Sequence, residues 1–342
     1  MEERRRILII RPSALGDVCR SVHLAVSLRN AWPSARIEWL VNAQYADAVR
    51  CHPCVDETLL FHRGRRSSSK SGSRLSGISA ESIGPFALLA RQLRSRRYDI
   101  VIDAQGLARS GLLSLASGAA VRIVGHDARE GASLAANRRP VHGEGCTTHT
   151  VDAMASLLDP IGIEPVIDLR LTAPPETERT HRFETPPAVL APTSLWPGKR
   201  WPIDRFAAVA ARLRDRVPVA IVGGPNERDQ CAELLAVPGV IDLVGKTSVG
   251  ELMRIIQRGA LVIANDSAAL HMAVGFDRPI VALFGPTRTE RVGPYGRSDD
   301  VIQHISPGDT LDHKNEAAGR ELMGRISIDE VIQAAEHRLR SS

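Results

Sequence analysis

The chain has 342 residues, 43% hydrophobic and 24% charged, a soluble globular composition at a length that suits two domains of roughly 150 residues better than one. Its net charge of +5 is compatible with nucleic acid, an anionic membrane surface, or phosphorylated and acidic small substrates, while only 4% aromatic residues argues against base-stacking on exposed rings. Five scattered cysteines exclude a disulfide framework and point to a reducing compartment.

The start, MEERRRILII, is basic then apolar, but its apolar run is too short for a signal peptide. No later stretch reaches the ~18 apolar residues of a membrane span. The expected location is the cytosol, with any membrane contact peripheral. RILIIR reads as a strand, followed by a short loop and a helix from about Cys19 to Asn30, with Asp17 where the helix should begin. RIEWLV precedes a short helix near Tyr45 to Arg50, and VDETLLF is the third strand. Between them CHPC (Cys51 to Cys54) has redox or zinc spacing. No second pair or suitably spaced histidines follow, so a structural or incidental role is expected. HRGRRSSSKSGSRLSGIS (His62 to Ser79) contains no acid and is either a solvated loop or a mobile arm that closes over an anionic substrate. YDIVIDA, GLARSGLLSLAS and AVRIVG continue the alternation. Continuous Val/Ile/Leu runs bounded by turns suit a parallel sheet covered on both faces, so this half reads as a doubly wound α/β domain.

From about Pro160 to Pro187 proline and polar residues dominate, the composition of a linker. Alternation then resumes with AVLAP, DRFAAVAARLRD, VPVAIVGG, ERDQCAELLA, GVIDLVG, SVGELMRIIQRG, ALVIAND, AALHMAVGF and PIVALFG. The expected domains are 1–165 and 187–342, joined by 166–186, with a cleft between two Rossmann-type halves. A final helix, about Ile328 to Arg340, is available to pack back on the first domain.

There is no G-x-G-x-x-G after the first strand, which removes the main support for a dinucleotide dehydrogenase. GVIDLVGKTS (Gly239 to Ser248) misses the P-loop spacing, and its middle looks like a buried strand. No Asp-x-Asp pair offers to chelate a metal against a pyrophosphate. A better phosphate site is LVIANDSAALHMAVGF, where a strand ends at Asn265 and Asp266 and a helix starts at about Ser267 and Ala268. Small residues in its first turn leave the free N–H groups approachable. Asp266 is either an N-cap or a carboxylate for sugar hydroxyls, and His271 either a core histidine or a ligand contact. LAPTSLWPGKRWPIDRF sets Thr193, Ser194 and Lys199 at and just after the end of a strand, either an oxygen-binding cluster in which lysine would neutralise a departing phosphate or simply a solvated basic turn. In VGGPNERDQ, Glu227 could receive two ribose hydroxyls or simply sit in the first helical turn.

Together SALGDV, YDIVIDAQGLARSGLL, GHDAREGASLAANRR, PTSLWPGKRWP and NDSAALHMAVGFDRPIVALFGPT followed by GPYG resemble, in order and over nearly the whole chain, the ADP-heptose:lipopolysaccharide heptosyltransferases (glycosyltransferase family 9), with the type I enzymes nearest in pattern. The resemblance implies a GT-B fold, two Rossmann-like domains facing a central cleft. It implies inverting transfer, without metal or cofactor, of heptose from ADP-heptose to Kdo of the inner core (Kdo-lipid A). Asp17 then takes the position of the catalytic base, and Thr193, Ser194 and Lys199 the phosphate contacts, with Lys199 also catalytic. Glu227 falls at the ribose contact, Asp266 at the donor sugar, Thr247 beside the adenine where methionine is more usual, and Ser267, Ala268 and His271 at the donor helix. On the acceptor side Ser13 and Gly16 form a small-residue approach loop, Arg129 matches a basic contact, and Arg63, Arg65 and Arg66 match the family's basic loop in character. The implied partners are ADP-heptose, a lipid A-Kdo acceptor and the inner membrane leaflet, with no nucleic acid and a monomeric chain. The rival readings are a type II, type III or protein heptosyltransferase, and a non-catalytic nucleotide- or RNA-binding module.

Overall fold

The structure, a computed structural model, describes residues 4–62, 80–125, 127–140, 148–178 and 181–340. Arg63, Arg65 and Arg66 therefore lie outside the described residues. The chain divides into two units, Met1–Gly145 with Val151–Asp168, and Cys146–Thr150 with Leu169–Ser342.

The first unit runs β1 (Arg6–Ile10), α1 (Leu15–Arg20), α2 (Val22–Ala31), β2 (Arg36–Asn42), α3 (Asp47–Arg50), β3 (Glu57–Phe61), α4 (Ala80–Ser95), β4 (Ile100–Asp103), α5 (Ala108–Ser117), β5 (Val121–Val124) and then α6 (Thr150–Ala155). Its sheet is parallel in the order β3-β2-β1-β4-β5. Ile7 to Ile10 of the central strand are all fully buried, because a strand with neighbours on both edges and helices on both faces has no solvent side to alternate towards. The helix expected over 19–30 is in fact two. Ser21 donates its hydroxyl to the Asp17 carbonyl at 2.6 Å, a local bond that competes with the helical ladder, and α2 starts afresh after it.

At the amino end of this sheet Glu38, fully buried, accepts from Arg6 (2.9 Å), Arg36 (2.8 Å), Arg96 (2.7 Å) and Tyr98 (2.5 Å). Burial would raise its pKa, but Tyr98, Arg36 and Arg96 outweigh that and hold it below the usual range. Glu38→Ala leaves partly buried arginines without their shared anion and is expected to cost about 2–4 kcal/mol in urea unfolding. Since the folded pKa is depressed, the wild-type contribution is present above the ordinary glutamate range and lost as pH falls through the folded value. This edge is opposite the carboxyl ends of the strands.

The second unit runs β6 (Ala188–Ala191), α7 (Ile203–Leu213), β7 (Val219–Ile221), α8 (Ala232–Leu235), β8 (Ile241–Asp242), α9 (Val249–Arg258), β9 (Leu261–Asn265), α10 (Ala268–Gly275), β10 (Ile280–Leu283), α11 (Thr289–Val292), β11 (Val301–Ile302), α12 (Glu316–Gly324) and α13 (Ile328–Arg340). Its parallel order is β11-β10-β9-β6-β7-β8. Ser248 caps α9 reciprocally with Glu251, the arrangement that satisfies two amides at once. Lys246, the lysine of the P-loop look-alike, bonds Asp242 at 2.7 Å.

From Leu169 on, the segment expected as linker lies on this unit: the Leu171 amide donates to Gly275 at 2.9 Å, and a side chain at Gly275 would collide with Leu171. The final helix places Val331 and Ala335 in the second unit's core. No described helix is long and apolar enough to cross a membrane. Each sheet reverses its winding at one point, between β1 and β4 and between β6 and β9, where ligands of open α/β sheets sit.

Candidate active site

In the first unit Asp17 is the third residue of α1, not its cap, and its Oδ2 accepts from the Ala14 amide at 3.3 Å. Arg11 reaches Oδ2 at 2.9 Å and Arg20 reaches Oδ1 at 2.5 Å. Burial would raise its pKa; the charges of Arg11 and Arg20 overcome this and hold the carboxyl below its ordinary value. The side chain is 29% exposed, so a ligand hydroxyl can reach it. Arg11 also donates to the Ala104 carbonyl just past β4, which ties Asp17 to the loop across the switch point.

That loop begins with Asp103, buried at the end of β4, whose Oδ1 accepts from the Gln105 and Gly106 amides at 3.0 Å each. Gln105 in turn accepts from the Ser13 amide at 3.1 Å, and Gly106 from the Arg129 amide at 2.8 Å. The structure thus gathers Ser13, Gly16 and Asp17 after β1 with the backbone of Arg129 after β5. Asp103 Oδ2 is buried without a partner, and burial pushes the carboxyl up to about 6. The folded state then holds this proton more tightly than the unfolded chain. Its contribution is full below the ordinary aspartate range and falls by about 3 kcal/mol as pH rises to neutrality. Asp103→Asn, which keeps an oxygen for both amides, is expected to flatten that decline between pH 4 and about 7 in thermal melts.

In the second unit the loops after β6, β7, β8 and β9 meet. Thr193 and Ser194 are both buried; Thr193 donates to Glu227 Oε2 at 2.7 Å, as does the Gly224 amide at 2.6 Å. Oε1 takes no bond among the described residues, which leaves it for a pair of hydroxyls. Lys199 Nζ lies 2.6 Å from Asp266 Oδ2 with both side chains largely buried, and His271 Nε2 is 4.0 Å from Asp266 Oδ1. Asp266 is therefore not the cap of α10: Ser267 holds that position without a side-chain capping bond, its Oγ buried and unpartnered. The first amides of α10 and this hydroxyl make a donor set for an anion. Thr247 is half-buried in the loop after β8, two residues past Gly245, whose amide bonds Gly223.

Three contributors escape a reading by sequence. Asn265, fully buried at the end of β9, donates to the Pro192 carbonyl at 2.6 Å and accepts from the Trp201 amide at 3.2 Å, stapling the Lys199 loop across the switch point. Only its place before Asp266 hinted at it. His313 packs edge-on against Trp196 at 4.9 Å, and burial together with the Lys199 charge lowers its pKa; no local pattern announces it. Gly198 and Gly319 let the Pro197–Lys199 turn and α12 touch backbone to backbone: a side chain on Gly319 would overlap the Gly198 backbone, and one on Gly198 would crowd the Asn315 and His313 carbonyls at 3.2 Å.

The pattern of glycosyltransferase family 9 (heptosyltransferase) matches residues 86–333. Lipopolysaccharide heptosyltransferase 1 of Escherichia coli O18:K1:H7 is 25% identical over 323 residues, 90% of this chain and 93% of that one. The fold is similar to that of E. coli ADP-heptose LPS heptosyltransferase II, with a TM-score of 0.79 at 23% identity over 98% of this chain and 99% of that one. It is also similar to E. coli heptosyltransferase WaaC with ADP, with a TM-score of 0.74 at 22% identity over 97% and 99%. The chain belongs to glycosyltransferase family 9 and is a glycosyltransferase of GT-B architecture.

Proposed function

We propose that the protein moves heptose from ADP-heptose to Kdo of the lipopolysaccharide inner core, with inversion and without a metal, at the cytoplasmic membrane face. The observation that carries the reading is the donor-side cluster: Glu227 beside Thr193, Lys199 beside Asp266, and the open start of α10. Each group suits one part of a nucleotide-diphosphate sugar. Glu227 Oε1 receives ribose hydroxyls, and Thr247 lies beside the base. Thr193, Ser194, Lys199, Ser267 and the Ala268 amide meet the diphosphate, and Asp266 with His271 faces the sugar hydroxyls. As the anomeric bond breaks, negative charge grows on the leaving diphosphate, where fixed donors stabilise it most.

On the acceptor side Asp17 takes the proton of the attacking hydroxyl, with Ser13 and Gly16 leaving room for it. Arg129 would meet acceptor carboxylates and phosphates. Similarity to lipopolysaccharide heptosyltransferases supports a lipopolysaccharide acceptor. Incubating the chain with a panel of nucleotide-sugars and Kdo-lipid A, beside an already heptosylated acceptor, tests this by product mass. Addition of one heptose to Kdo-lipid A from the ADP-sugar alone is expected. Transfer only to the heptosylated acceptor would reassign the protein to a later step.

A further inference from the structure

We propose that one face of the first unit docks on an anionic lipid bilayer through exposed leucines set among arginines. α4, α5 and the turn Ala132–Ala135 are neighbours. Gly111 of α5 lies against Ala132 and Ala135, and Arg94 of α4 lies over Gly118 at the end of α5. From these three elements Leu88, Leu112, Leu115 and Leu134 are exposed by 70, 51, 45 and 86%. Single exposed apolar residues are ordinary on a soluble protein, but several on touching elements mark an interaction surface. Leu112 and Leu115 are one turn apart on one helix face. The fold does not need them, because Ser110, Leu113, Ser114 and Ser117 already bury the other face of α5.

The charge around the leucines selects the occupant. Arg91, Arg94, Arg109, Arg138 and Arg139 are exposed on the same three elements and the strand of chain that follows. Against them stand the exposed Asp127 and Glu130, and Glu130 is turned to the Ala108 amide at the start of α5. Apolar side chains ringed by arginine fit the headgroup boundary of an anionic bilayer, where leucine enters the acyl region and guanidinium meets lipid phosphate. The face also continues from the acceptor loops: α5 starts just after the Asp103–Gly106 turn, and Arg129 is bonded to that turn. A docked α5 would hold Ser13 to Asp17 next to a lipid-anchored acceptor. That last step rests on the acceptor reading above; docking itself does not.

The test uses the full chain and phosphatidylethanolamine–phosphatidylglycerol vesicles that contain no acceptor, so that docking and transfer fail separately. Wild type is expected to sediment with these vesicles, to release at high salt, and to ignore neutral phosphatidylcholine vesicles. Leu88→Ser/Leu112→Ser/Leu134→Ser should lower the bound fraction by about tenfold or more. The same protein should turn over a soluble, deacylated acceptor at the wild-type rate. Binding of the triple variant equal to wild type overturns the proposal. So does a wild-type dimer in light scattering that the serines dissociate, since the face would then be an interface between copies. Should the triple variant misfold by circular dichroism, Arg138→Glu/Arg139→Glu replaces it, with loss of vesicle binding expected and unchanged binding fatal.

Discussion

Asp17→Asn is expected to fold and to lose transfer by about 10²–10⁴-fold in kcat, with little change in donor KM. Asparagine keeps an oxygen for the Ala14 amide, so the start of α1 survives while the proton acceptor is gone. Thermal melts on the same samples check that the fold is kept, so that lost turnover is not lost structure. The two arginines sharpen the expectation. Because they hold the carboxyl below its ordinary value, Asp17 is ionised across the neutral range and imposes no loss of rate until the pH drops into the acid. Arg20→Met removes one of them, lets burial reassert itself, and should shift the acid limb of kcat/KM to higher pH. An acid limb that stays in place in Arg20→Met would mean that another group supplies the base.

Lys199→Ala is expected to lower kcat/KM for the donor by about 10²–10³-fold, the usual cost of removing a preorganised charge from a developing anion. It also strands Asp266, whose side chain is only 10% exposed, so a stability loss of about 2–4 kcal/mol should accompany it. The double variant Lys199→Ala/Asp266→Ala removes the stranded charge and should recover most of that stability while remaining inactive. Recovery of both properties together would reduce the pair to a structural bridge. Recovery of neither would mean that the lysine stem, not its charge, holds the loop.

Much of the architecture was legible because a parallel sheet writes itself as unbroken apolar runs such as Ile7 to Ile10. The ends of those runs then locate the loops that carry Asp17, Thr193, Lys199, Glu227 and Asp266. Boundaries were less legible where a side chain bonds its own backbone, as Ser21 does in splitting the first helix. GVIDLVG looked like a full strand, yet only Ile241 and Asp242 pair, because Asp242 and Gly245 already turn the chain. The helix cap moved from Asp266 to Ser267 for a reason no local pattern carries: Lys199 arrives from another loop and takes the carboxylate. Arg11 and Asn265 belong to the same class, since Ala104 and Pro192 are distant in sequence and adjacent only across the switch points, and His313 likewise meets Trp196 from far along the chain.

The contact between Gly198 and Gly319 makes the Lys199 turn hostage to a helix far along the chain. A methyl group at Gly319 would push on the backbone that positions the lysine, so a variant there would imitate an active-site lesion while touching no substrate. Neither glycine can be rescued by enlarging or shrinking the other, because each already contributes no side chain. Sequence change at Gly319 is therefore locked until the turn or the helix moves as a whole. A screen that scores Gly319 as mere packing would misassign an inactive variant recovered there.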